Sequence, residues 1–132
     1  LLRVITMPQS MYGPFVQKGV KRFTDTHSIP VEFRTTIPED IRKGDCFLLL
    51  NSQLDAGLVE LTRKIYDIGL VIGQDVRIIS YNDVDMNELT LGGLTTVSTD
   101  FREMGKTVAE MILEGKMKKQ ICSFKMNRRK TF

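Results

Sequence analysis

From Cys46 to Ser80 the chain passes from a continuous apolar run, through an amphipathic helical stripe, to a second strand-like run. That order leaves few folds open, because a strand, helix, strand succession builds a parallel sheet through a right-handed crossover. Cys46–Leu50 reads as a strand buried on both faces. Ser52 is a good helix N-cap with Asp55 three residues on. Leu54, Leu58, Leu61, Ile65 and Ile68 then recur at helical spacing, and Gly69 supplies the stop. Val76–Ser80 is the next strand.

The same logic extends in both directions. Arg3–Met7 reads as a strand closed by Pro8 and Ser10, and Pro14 suits a helix's first turn. Val16, Gly19, Val20 and Phe23 share that helix's apolar face, and Val31–Thr35 is a second strand. Thr36–Asp45, with Pro38 and Gly44, reads as a loop or a single helical turn. Beyond Ser80, a polar connector ends in Gly92-Gly93, Leu94–Ser98 is a short strand, and Asp100 caps a helix with Glu103 at its third position. Phe101, Met104, Val108, Met111 and Ile112 make that helix's apolar face, and Gln120–Asn127 is a final strand. The fold class is therefore α/β.

The chain's 132 residues, 42% hydrophobic and 27% charged, suit one domain or a large piece of one. No apolar run is long enough for a membrane helix, and no leader stretch is read at the amino end. The net charge of +3 conceals an asymmetry. Seven bases and no acids follow Gly115, leaving twelve bases against sixteen acids before it. The basic end reads as a solvated final strand and a frayed tail, without the interleaved aromatics of a nucleic-acid surface. The single histidine, His27, argues against a histidine-built metal site or catalytic triad. Cys46 and Cys122 sit in strand-like runs and read as buried reduced thiols. No phosphate-cradling glycine motif occurs, and no cofactor is expected.

Asn51-Ser52 and Asn82-Asp83 each follow a buried strand, so in a parallel sheet both pairs surface at one edge. Amide and carboxylate groups there suit bidentate hydrogen bonds to sugar hydroxyls. The plainer reading is that Ser52 caps its helix and Asp83 pins a turn. Phe101, one residue into a helix, suits either stacking on a sugar face or the core.

Three blocks carry a resemblance. Gly69–Asp83 (GLVIGQDVRIISYND), Leu94–Gly105 (LTTVSTDFREMG) and Phe124–Thr131 (FKMNRRKT) resemble the effector-binding core of bacterial sugar-responsive regulators. These are the LacI/GalR family and the periplasmic-binding-protein-like domains fused to GntR-type heads, and the SYND variant looks more like the latter. The resemblance covers residues 3–132 and is strongest after Cys46. It implies a type I periplasmic-binding-protein-like lobe, three-layered αβα, as one half of a two-lobed domain. Residues 1–93 would be the carboxyl-side lobe. Residues 94–132 would be a crossing strand, a helix leaning on the other lobe, a returning strand and the basic tail.

By the same resemblance, Asn82 matches an effector-contacting position, Asp83 its structural neighbour, and Asn51 and Phe101 positions lining the cleft. Where many members carry a sugar-clasping arginine this chain has Val16, with Gln17 beside it as a partial substitute. The implied function is sensing of a sugar or sugar-like effector in a cytoplasmic bacterial regulator, with no catalysis. Operator DNA would be bound through a head outside this sequence, which opens on Leu1 rather than Met. A homodimer is expected, and the unpartnered face of the last helix predicts self-association. A sugar receptor of a transport system is the alternative reading, with a small α/β enzyme behind it.

Overall fold

Parallel pairing dominates this molecule because its strands are short, apolar and separated by helices. The computed structural model describes residues 1–6, 11–50 and 56–132. The expected Ser52 cap with Asp55, Leu54 of the helical stripe, and the turn at Pro8 and Ser10 lie outside the described residues. The strands are β1 (Leu2–Ile5), β2 (Val31–Arg34), β3 (Cys46–Leu49), β4 (Arg77–Tyr81), β5 (Thr95–Thr99) and β6 (Phe124–Asn127). The helices are α1 (Gly13–Thr26), α2 (Ala56–Asp67) and α3 (Phe101–Glu114).

The six strands form one sheet in the order β2-β1-β3-β4-β5-β6. All neighbours pair in parallel except β5 and β6, which are antiparallel. The path leaves β1 for β2 on one side and then returns past it to β3. Right-handed crossovers in opposite directions place α1 and α2 on opposite faces. The reversal makes the carboxyl ends of β1 and β3 a topological switch point, where open α/β sheets leave a crevice.

The core lies on the α2 side. Leu58, Leu61 and Ile65 of α2 are buried with Ile5, Phe47, Leu49, Ile78 and Leu94. Register explains the choice, since Ile5 stands beside Leu49 and Phe47 beside Ile78 on one sheet face. Ile68 falls just past the end of α2 and is about half exposed. Ile37 and Ile41, in the loop before β3, close the bottom of this core.

Three expectations need correction. The expected apolar face of α1 is not buried: Phe23 is 54% exposed, and the helix buries Gly13 and Thr24 instead. The helix lies mainly along β2, a four-residue edge strand, which offers little apolar area to cover. Cys122 precedes β6 rather than lying in it, and both cysteines are free and half-buried. Burial pushes the Cys46 thiol up.

The third correction concerns the basic end, which is not frayed. Thr131 is 1% exposed and sits where β4 and β5 diverge. Its Oγ1 accepts from the Thr95 N–H at 2.8 Å and donates to the Ile78 carbonyl at 2.8 Å. Its own carbonyl accepts from the Ile78 N–H at 2.9 Å. The Lys130 carbonyl fills the space beside Gly73, whose φ of +86° leaves that side open. Composition hides this, because at Lys130 and Thr131 backbone groups and one hydroxyl do the anchoring while the charged side chains draw the eye.

Helix α3 buries no residue. Phe101, Val108 and Ile112 are each at least half exposed. Its start is well made, with Asp100 Oδ1 accepting from the Glu103 N–H at 3.0 Å, and Gly115 closes it in the left-handed region. Replacing Asp100 with Ala is expected to cost about 1 kcal/mol. A urea titration followed by circular dichroism checks this, and an unchanged midpoint would show the cap to be idle. No helix among the described residues is long and apolar enough to cross a membrane.

Candidate functional site

The carboxyl edge of the sheet is built by strand ends that turn sharply into polar residues. After β4, the backbone at Asn82 enters the left-handed region at φ +67°, and its N–H donates to the Val97 carbonyl at 2.8 Å. Asparagine tolerates this conformation better than most side chains. β5 ends at Thr99, Asp100 caps α3, and Phe101 follows with its ring 52% exposed. β6 returns antiparallel beside β5, bringing Lys125 and Asn127 to the same place. Between them lies a cavity of about 230 Å³ lined by Asp83, Asp85, Ser98, Thr99, Asp100, Phe101, Arg102, Lys125 and Asn127.

Two of the three carboxylates lining this cavity, those of Asp83 and Asp100, are held by other groups of the chain. Asp83 Oδ1 accepts from Asn87 Nδ2 at 3.3 Å and Arg129 Nη1 at 2.9 Å. Its Oδ2 accepts from Asn127 Nδ2 at 2.7 Å and Arg129 Nη2 at 2.9 Å. Burial opposes the charge on Asp83, but the hydrogen bonds from Arg129, Thr96 and Asn87 outweigh it and hold the carboxyl below its ordinary range. Lys125 Nζ donates to Asp100 Oδ2 at 2.6 Å and, with the Glu103 N–H, holds that carboxyl low as well. Both acids therefore stay ionised and act as fixed acceptors. Glu103 is engaged in turn by the Ser123 hydroxyl and N–H.

The remaining expected residues separate. Gln17 does not reach this cavity; it lines a second, more open hollow of about 420 Å³ with Thr6, Phe33, Arg34, Thr35 and Thr36. Asn51 and Ser52 lie outside the described residues, though β3, which leads into them, stands between the strands flanking the two hollows. Asn82 adjoins the first cavity through Asp83 without lining it. Asp83, expected as a contact or a turn residue, has both oxygens occupied by its own chain. Of the expected contacts, Phe101 and Asp83 line the cavity together.

Sequence reasoning missed Ser98, Thr99, Arg102, Lys125, Asn127 and Arg129. The alternation of β5 could have flagged Ser98 and Thr99 as strand-end hydroxyls. Nothing in the local sequence marks Arg129, because its partner Asp83 is 46 residues away. Among the described residues no group of three or more His, Cys, Asp or Glu is placed to hold a metal ion. What the site offers is an aromatic ring beside hydroxyl, amide and carboxylate groups, a set suited to a small polyhydroxyl molecule.

Residues 50–121, more than half of the chain, match the model of the periplasmic binding protein-like domain family. A stretch of 67 residues is 31% identical to the lactose operon repressor of Escherichia coli (strain K12), covering 51% of this chain and 18% of that protein. Among solved structures, the Escherichia coli transcriptional repressor ascG superposes with a TM-score of 0.74 at 17% identity, over 99% of this chain and 55% of that one. A periplasmic binding protein/LacI transcriptional regulator from Alkaliphilus metalliredigens QYMF, complexed with D-xylulofuranose, gives 0.71 at 18% identity, over 98% and 56%. The chain thus spans about half the length of these solved neighbours and a smaller share of the curated repressor. The curated relative and ascG are both transcriptional repressors by name. Sheet order, crossovers and sequence blocks agree: the chain belongs to the periplasmic binding protein-like domain family, in the type I form shared with LacI-type transcription regulators.

Proposed function

We propose that this chain is the effector-sensing lobe of a cytoplasmic bacterial transcription regulator, and that a sugar or sugar-like molecule binds along the carboxyl edge of its sheet. The observation that carries this reading is the cavity at the ends of β4, β5 and β6, where the exposed ring of Phe101 stands beside Thr99, Ser98 and two fixed carboxylates. A ring face suits the apolar face of a sugar, and the hydroxyl and carboxylate groups suit its hydroxyls. Asn82 and Asn51 would extend the contact along the edge, whereas Gln17, in the separate hollow beside β2, would not meet a ligand held here. Ligand held here would favour one arrangement of this lobe against its companion, and so bias operator binding by a head domain.

The experiment is a titration of the isotopically labelled chain with a panel of D-pentoses, D-hexoses and their phosphates, followed by amide chemical shifts. One class of sugar is expected to move Asn82, Thr99 and Phe101 while leaving the α2 core still. Shifts absent for the whole panel, or spread evenly over the chain, would overturn the reading.

The face of α3 would lean on the companion lobe. Tested alone, the chain is expected to self-associate through Phe101, Val108 and Ile112, since a contiguous exposed apolar face of this kind is unusual on a monomer. Light scattering decides it, and a monomeric mass at high micromolar concentration would show that the face stays wet.

A further inference from the structure

Arg129 makes more contacts than the anchoring of a tail requires. Besides its paired bonds to both oxygens of Asp83, its Nη1 donates to the Leu94 carbonyl at 2.8 Å and to Thr96 Oγ1 at 3.3 Å. Its backbone N–H donates to Thr95 Oγ1 at 2.9 Å. The guanidinium thus ties the turn after β4 to the start of β5, and Asn127 adds the end of β6 through the same carboxylate. The tail has its own anchor two residues on, in the three hydrogen bonds of Thr131 with Ile78 and Thr95. What Arg129 adds is a fixed place for Asp83. Asp83 directly follows Asn82, whose left-handed backbone persists only if the chain on both sides of it is held. One side is the bond from its N–H to Val97; the other is the clamped carboxylate.

We infer that Arg129 is a positioning residue of the ligand site: by gripping Asp83 it fixes the left-handed backbone of Asn82 at the sheet's carboxyl edge, which makes the carboxyl-terminal tail part of the binding apparatus. The role rests on the reading that Asn82 meets the ligand. Arg129 and Asn127 lie beyond the residues matched by the family model, so the chain carries part of its site outside that match. A lysine cannot replace the arginine here, because an ammonium is a point charge and cannot span two carboxylate oxygens and the Leu94 carbonyl with fixed geometry.

The test uses the ligand-free full chain and three variants, Arg129→Met, Arg129→Lys and Asp83→Asn. Amide exchange and chemical shift are read at Asn82, with Leu61 and Ile65 of α2 as internal references. In Arg129→Met the Asn82 amide is expected to exchange at least about tenfold faster while the α2 amides keep their rates, which is a local rather than global opening. Arg129→Lys is expected to fall between, and Asp83→Asn to reproduce the loss while leaving the bonds from Arg129 to Leu94 and Thr96 in place. An Asn82 signal unchanged in all three, or equal acceleration at Asn82 and in α2, would overturn the inference. If Arg129→Met does not fold, the lysine and asparagine variants decide the question. The sugar titration answers separately: no binding there with a loosened Asn82 here would remove the ligand reading and leave the clamp standing.

Discussion

Arg3→Met is expected to lower the stability of this chain by about 3–5 kcal/mol, the usual cost of stranding a buried charge. Arg3 is 2% exposed although it lies in the middle of β1. Its Nη1 and Nη2 grip the Asp40 carboxylate at 2.8 and 3.1 Å, and Nη2 also donates to the Asp40 carbonyl at 2.9 Å. Nε lies 3.2 Å from Asp45 Oδ2, and the guanidinium sits 6.0 Å from the centre of the Phe47 ring. Asp45 is itself 4% exposed, so methionine would fill the volume and leave that carboxylate with the Arg42 N–H but no guanidinium to balance its charge. Urea denaturation checks the figure, and a loss under about 1 kcal/mol would mean that water reaches Asp45. The double variant Arg3→Met/Asp45→Asn should recover part of the loss, because the stranded charge is gone.

The same cluster sets an acid limit. The hydrogen bond from Arg3 holds the Asp40 carboxyl at about 2, against an ordinary value of 3.8. A carboxyl depressed in the folded state contributes stability that is fully present above its unfolded value and is lost as pH falls through the folded one. Stability should therefore decline from near pH 4 down to about pH 2 in the parent chain, and that component should shrink in Arg3→Met, where Arg34 and a backbone hydrogen bond still favour the charged carboxyl.

Gly73→Ala is expected to cost about 2–4 kcal/mol, from a strained backbone and a steric clash together. At φ +86° an L side chain is poorly accommodated, and a Cβ here would stand 2.1 Å from the Lys130 carbonyl oxygen. That oxygen is backbone, held by Thr131 one residue further on, so the tail would have to leave its groove. Proteolysis should reveal this as early cleavage after Arg128 or Arg129, and calorimetry as a lowered Tm. Gly105 is the control. It lies within α3 with nothing inside 4 Å of a Cβ, so Gly105→Ala should be neutral or stabilising by up to about 1 kcal/mol. Equal effects at the two glycines would show that the tail does not pack against Gly73.

Helix α2 and strands β3 and β4 were legible because their signals are local. The stripe Leu58, Leu61, Ile65 has helical period, and the runs at Cys46 and Val76 have strand length with turn glycines between them. The edge position of Phe101 followed from the Asp100 cap, another local signal. Asp83 was placed at the edge for the same reason. Its partners were not, because charge in sequence carries no address. Arg3 read as the first residue of a strand and proves to be buried at the centre of an ion cluster with Glu32, Asp40 and Asp45. Arg129 looked like one of several tail bases and proves to clamp the site.

The amino-acid order by itself determined the α/β class, the parallel core, and the edge at which polar residues gather, since each follows from periodicities and caps spanning fewer than about twenty residues. Tertiary structure alone decided which acid meets which base, that the final residues pack between β4 and β5, and that the apolar face of α1 is only partly covered, with Phe23 left exposed. Those outcomes depend on contacts across 37 to 53 positions of chain, as between Arg3 and Asp40 or Thr131 and Ile78. Such pairings are chosen by which backbone groups the assembled sheet leaves unpaired and how much apolar area it has to cover, quantities that exist only once the strands have come together.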